Sequence, residues 1–140
     1  MKNYKMKMTT KEGVYIMEQL AYYGSTAYYT DELTRNIDKL RRISMLEYNW
    51  DGYGAEPFST ELILQAKNLL HEIHIQPEIF PTATGTIQLE YEKDNGDYLE
   101  FQFGGNSQCE CFRTINGYEE YFSIPENSEA INELVEDFYG

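Results

Sequence analysis

The sequence predicts an α+β domain: helices first, then a four-stranded antiparallel meander, then a closing helix, with the helices packed on one face of the sheet. Three observations lead there. Apolar residues recur at helical spacing through the first half of the chain. From Thr86 the spacing switches to every second residue. Asp94-Asn95-Gly96, Gly104-Gly105-Asn106 and Asn116-Gly117 then punctuate the alternating region as turns. The 140 residues suffice for one hydrophobic core and not for two. Residues 11–140 are therefore read as a single domain behind a flexible basic tail, residues 1–10.

That tail, MKNYKMKMTT, alternates lysine with short apolar residues and lacks the sustained apolar core of a secretory signal. No apolar run reaches the roughly 18 residues needed to span a bilayer. With only two cysteines there is no disulfide framework, so a cytoplasmic protein with reduced thiols is expected. Val14, Met17, Leu20 and Ala21 predict a first short helix over 11–22. The echo AYYGST/AYYT at Ala21–Thr30 reads as a tyrosine-rich loop, either anchored inward or available for self-association.

Thr30 or Asp31 caps a second helix whose Leu33, Ile37, Leu40 and Ser44 share one face. Ser59 caps a third, with Leu62, Ile63, Ala66, Leu69, Leu70 and Ile73 as its apolar stripe. Pro77 and Pro81 stop it and carry the chain onward. Ile87, Leu89 and Tyr91 alternate with Gln88, Glu90 and Glu92, and Leu99, Phe101 and Phe103 alternate with Tyr98, Glu100 and Gln102. A three-residue loop at Asp94–Gly96 pairs Lys93 with Asp97 and keeps both apolar faces on one side. A two-residue loop would set Glu92 against Leu99, so the pattern selects the longer one. Strands near 108–114 and 118–123 follow, with Cys111 facing Phe122 and Arg113 facing Glu120. Pro125 ends the sheet. Asn127 or Ser128 caps the last helix, with Ile131, Leu134, Val135 and Phe138 inward.

Charge is lopsided. Twenty-four acids against eleven bases give a formal charge of −13, which argues against direct binding to nucleic acid. Residues 1–77 hold nine bases and ten acids; residues 78–140 hold fourteen acids and only Lys93 and Arg113. The expected register places Glu90 opposite Glu100, with Glu92, Glu110 and Glu119 or Glu120 on the same outer face. Tyr98, Phe112 and Tyr121 lie among them. Unit charges ~5.5 Å apart in water repel by about 0.75 kcal/mol, so folding alone gives no reason to collect these acids. A cationic partner would.

Other candidate chemistry is thinner. Trp50-Asp51-Gly52-Tyr53-Gly54 is the most enzyme-like stretch: its glycines allow close backbone approach and Asp51 could act as acid or ligand. Trp50 could equally anchor a fixed loop, with Asp51 bonding local amides. His71 and His74 lie three apart at a helix end, a spacing that can share a metal but falls one residue short of HExxH, and Cys109 and Cys111 lack further ligands at readable spacing. Asp94, Asn95 and Asp97 form a turn without the ligand ladder of a calcium loop. No metal and no cofactor is expected.

NWDGYGAEP at Asn49–Pro57 and PTATGTIQLEY at Pro81–Tyr91, in that order around an amphipathic helix, resemble a widespread group of small bacterial proteins of unassigned function. The resemblance covers roughly residues 45–103. It departs at Thr84-Gly85-Thr86, where relatives commonly carry an acidic residue and paired glycines. Such proteins are often met on mobile elements, and the resemblance implies a role in conflict systems. The expectation is a non-enzymatic acidic protein that occludes a basic surface of a nucleic-acid-handling protein, as an antitoxin, immunity protein or anti-CRISPR-like inhibitor does. The contact set would be Glu90, Glu92, Tyr98, Glu100, Glu110, Phe112, Glu120 and Tyr121. The alternative is a small-ligand module or minor enzyme using Trp50, Asp51 and Tyr53.

Overall fold

The computed structural model describes residues 30–140. The expected basic tail, the helix over 11–22 and the tyrosine echo up to Tyr29 lie outside them. Three helices and a five-stranded sheet follow in the order α1 (Asp31–Ser44), α2 (Thr60–Glu72), β1 (Glu78–Pro81), β2 (Ile87–Glu92), β3 (Tyr98–Phe103), β4 (Gln108–Ile115), β5 (Tyr118–Pro125) and α3 (Ser128–Tyr139). The strands lie side by side in chain order, each antiparallel to the next.

Each helix starts on a side-chain cap. Thr30 Oγ1 accepts from the Leu33 N–H at 3.1 Å, Ser59 Oγ from Leu62 at 3.1 Å, and Asn127 Oδ1 from Ala130 at 2.8 Å. In α1, Asp31 and Glu32 occupy the first turn and Arg41 and Arg42 the last, the arrangement the helix dipole favours. Leu33, Ile37 and Leu40 point inward as expected. Ile43 takes the last inward position, and Ser44 is exposed at the fraying end.

The sheet has one strand more than expected. Residues 78–81 pair with β2, Ile79 beside Leu89 and Pro81 beside Ile87. A strand this short buries a single side chain fully, Ile79, so it shows no alternation to read, and Pro77 and Pro81 bracket it. Pro81 is tolerated because it ends an edge strand. The turn that follows is closed by Thr82 N donating to Thr86 O at 3.0 Å, with Gly85 at φ 89°. The longer loop at Asp94–Gly96 is present: Lys93 N donates to Asp97 O at 2.9 Å and Gly96 sits at φ 96°. Leu89 lies opposite Phe101, Tyr91 opposite Leu99, and Cys111 opposite Phe122.

Inward residues of the strands and of all three helices form one buried cluster that includes Leu40, Leu70, Phe101, Phe103, Cys109 and Val135. None of the outward residues of β2 and β3 belongs to it, so the described helices cover one face only. Two buried asparagines fasten the helices to that layer. Asn36 Nδ2 donates to Gln76 Oε1 and to Pro77 O, both at 2.9 Å. Asn132 accepts from His74 N at 2.9 Å and donates to Glu72 O at 3.0 Å, closing the C-terminal end of α2 from α3. Among the described residues, no helix is long and apolar enough to cross a membrane.

Candidate functional site

Because side chains alternate along each strand, the pairing register fixes what is displayed on the face that the described helices leave uncovered. One row across all five strands reads Glu78, Glu90, Glu100, Phe112, Tyr121. The neighbouring row towards the β1–β2 turn reads Phe80, Gln88, Gln102, Glu110, Ser123. The row on the other side reads Glu92, Tyr98, Thr114, Glu119. Four of the six carboxylates thus lie over β1–β3, and the aromatic rings Tyr98, Phe112 and Tyr121 run from β3 to β5. Glu78 extends the acidic row and was illegible in the sequence because β1 itself was.

Neutral groups hold these acids in place. Tyr98 Oη donates to Glu100 Oε1 at 2.8 Å, and Gln102 Nε2 donates to Glu100 Oε2 at 3.3 Å and to Gln88 Oε1 at 3.0 Å. Gln88 Nε2 donates in turn to Glu90, and Ser123 Oγ donates to Glu110 Oε1 at 3.1 Å. The Tyr98 phenol is pushed well above its ordinary range, first by burial and then by Glu100 and Glu90, so it stays protonated as a donor. Donors of this kind orient a carboxylate without cancelling its charge. Among the described residues, the ion pairs of Lys and Arg involve Glu78, Asp38, Asp97 and Glu120, and none involves Glu90, Glu92, Glu100 or Glu110. Lys39 is the cation at the β1 edge, 4.0 Å from Glu78 and 4.2 Å from the Phe80 ring centre.

The aromatic side is continuous. Phe112 lies 6.0 Å from Tyr98 and 4.7 Å from Tyr121, ring centre to ring centre, and Tyr121 is 77% exposed. Seven of the eight expected contact residues therefore share the uncovered face. Glu120 does not. It lies in the row of Leu99 and Arg113 on the helix side of the sheet, where Arg113 Nε donates to its Oε1 at 3.2 Å. The cause is parity: a residue that faces Arg113 cannot also point with Glu119 and Tyr121.

On that helix side a groove of about 400 Å³ lies between the β4–β5 hairpin and the end of α3. Its cations are engaged. Lys93 Nζ donates to Phe138 O at 3.0 Å and lies 3.8 Å from Asp97, and Arg113 pairs with Glu120.

The Trp50–Gly54 loop is tied to itself. Asp51 Oδ1 accepts from Tyr53 N at 2.9 Å and Ala55 N at 3.0 Å, which hold its carboxyl below the usual range. Asn49 Oδ1 accepts from Gly54 N at 2.6 Å, and Gly52 and Gly54 adopt φ values of 81° and 88° that few other residues tolerate. Trp50 packs 5.9 Å from Phe58 and donates from Nε1 to Glu56 O. Tyr53 projects from the tip, 93% exposed. Elsewhere, His74 Nδ1 lies 2.6 Å from Glu136 Oε2, burial pushes the His71 imidazole down, and Cys109 and Cys111 are buried free thiols. No group of three His, Cys, Asp or Glu side chains is gathered among the described residues as a metal would require. No known family, curated protein or solved structure matches this chain.

Proposed function

We propose that the protein is a non-enzymatic binding protein whose uncovered sheet face occupies a basic surface of another protein. A nucleic-acid-handling factor is the partner class that fits best, because such proteins present the cationic surfaces this face complements. The carrying observation is the row Glu78–Glu90–Glu100 running into Phe112 and Tyr121, in which amides and a phenol bond Glu90 and Glu100 and, among the described residues, no lysine or arginine pairs with either. Its acids would steer encounter and its aromatics would supply apolar contact. The resemblance of Asn49–Pro57 and Pro81–Tyr91 to small bacterial proteins supports an antitoxin, immunity or anti-defence role, acting by occlusion.

Capture from a lysate of the source organism on the immobilised protein tests this reading. A specifically retained partner should elute as salt is raised from 50 to 500 mM, and the Glu90→Lys/Glu100→Lys/Glu110→Lys variant should not retain it. An Asp51→Asn/Tyr53→Ala variant should retain it normally. Retention that ignores both salt and the sheet variant, yet fails in the loop variant, would transfer the function to the Trp50–Tyr53 loop.

A further inference from the structure

The two edges of the sheet are built differently. β1 has four residues, ends on Pro81 and is flanked by Lys39, three devices that discourage pairing with another strand. β5 has eight residues and carries no lysine, arginine or proline before Pro125.

Which backbone groups of β5 point away from β4 follows from its hairpin. Asn116 and Gly117, at φ 51° and 84°, form a two-residue turn flanked by Ile115 and Tyr118. In such a turn the flanking pair shares both ladder hydrogen bonds, and bonded and non-bonded pairs then alternate. Arg113–Glu120, Cys111–Phe122 and Cys109–Ile124 are the bonded pairs. The bond from Glu126 N to Ser107 O at 2.9 Å continues the same alternation past the strand end. Glu119, Tyr121 and Ser123 therefore aim their N–H and C=O away from β4. Pro125, which has no N–H, falls at the next outward position.

We propose that β5 is the docking edge for an extended, Lys/Arg-containing segment of the partner, which adds a sixth antiparallel strand to the sheet. This rests on the binding reading above and supplies its mode. Backbone pairing to Glu119, Tyr121 and Ser123 gives the affinity. A cationic side chain opposite Glu119 and an aliphatic one opposite Tyr121 give the selectivity, and both continue the chemistry of the uncovered face. A second copy of this chain is the disfavoured occupant, because it would bring its own Glu119, Glu120 and net −13 charge to the same edge.

The probe is the eight-residue peptide Val-Thr-Lys-Thr-Val-Thr-Lys-Thr, whose lysines and valines alternate along one face so that a lysine opposite Glu119 sets a valine opposite Tyr121. Its control has identical charge but is N-methylated at every second residue, so it cannot complete a ladder. Followed by amide NMR, the first peptide should slow hydrogen exchange at Glu119, Tyr121 and Ser123. It should bind at least tenfold more tightly than the methylated one. Ser123→Pro removes an outward N–H together with the hydroxyl that donates to Glu110, whereas Ser123→Ala removes the hydroxyl alone; the proline variant should lower affinity for the first peptide to that of the control and the alanine variant should not. Should Ser123→Pro fail to fold, the comparison of the two peptides decides alone. Equal binding of the peptides overturns the proposal, as does a folded Ser123→Pro with unchanged affinity. A peptide-free dimer that already protects these amides overturns it too. If binding is equal but Glu90→Lys/Glu100→Lys weakens both peptides, the edge mode fails and the acidic-face reading stands; if that variant changes neither, both fail.

Discussion

Asp51 and Glu126 are carboxyls moved in opposite directions by their surroundings. Two backbone N–H groups hold the Asp51 carboxyl low, so its ionised form favours the folded state. That contribution is present above the ordinary carboxylate range and disappears as pH falls through the lowered value. Asp51→Asn should therefore reduce the urea midpoint at pH 7, and its deficit relative to wild type should close in acid. Glu126 is raised, chiefly by burial: one carboxyl oxygen accepts from Gly105 N at 3.3 Å, and the other is buried without a hydrogen-bond partner among the described residues. Its ionised form opposes folding, and that penalty fades as pH falls into the carboxylate range. Glu126→Gln should raise the urea midpoint at pH 7 and lose its advantage in acid. Of this pair, the bonding of Asp51 to local amides was one of two readings the loop sequence allowed. Glu126 was not legible as a buried acid, since its partner loop at Gly105 is 21 residues away.

At the level of elements, legibility followed the range of the interactions. Caps act within three residues, so Thr30, Ser59 and Asn127 could be named from the sequence, each with one rival at most. The register of β2 against β3 was fixed by one turn and by the need to keep Leu89, Tyr91, Leu99 and Phe101 together. Strand β1 was hidden because four residues carry no period. The asparagines that fasten α1 to the segment after α2 and α3 to the end of α2 were hidden because Asn36 bonds 41 positions away and Asn132 bonds 60 away. Asn132→Ala should be costly for that reason. It leaves the His74 N–H and the Glu72 carbonyl without their partner at a site only 9% exposed. The expected loss is about 1–3 kcal/mol. Chemical denaturation should show it as a lower midpoint with an unchanged slope.

Across the whole molecule, the formal charge of −13 makes self-repulsion a property of the fold and not of one pair. The Tm should accordingly rise as sodium chloride is raised from 10 to 300 mM, where screening shortens to below 10 Å. Partner retention should weaken over the same range. Responses of opposite sign would support the proposal that the charge serves association. The sequence disclosed the size of this imbalance and its bias to the second half. It did not disclose that Glu78 joins the row or that Glu120 leaves it, because each depends on which strand pairs with which.

Cys109 and Cys111 point from β4 into the core with 0% and 3% of their surface open to solvent, and the neighbouring Cys111 thiol, then burial, raise the Cys109 thiol. Neither sulfur can meet an alkylating reagent while the native packing is intact. Iodoacetamide should therefore modify the pair only as fast as the molecule breathes open. The incorporation rate becomes an internal clock for global opening, slowed by any bound companion that favours the closed form and hastened by Asn132→Ala.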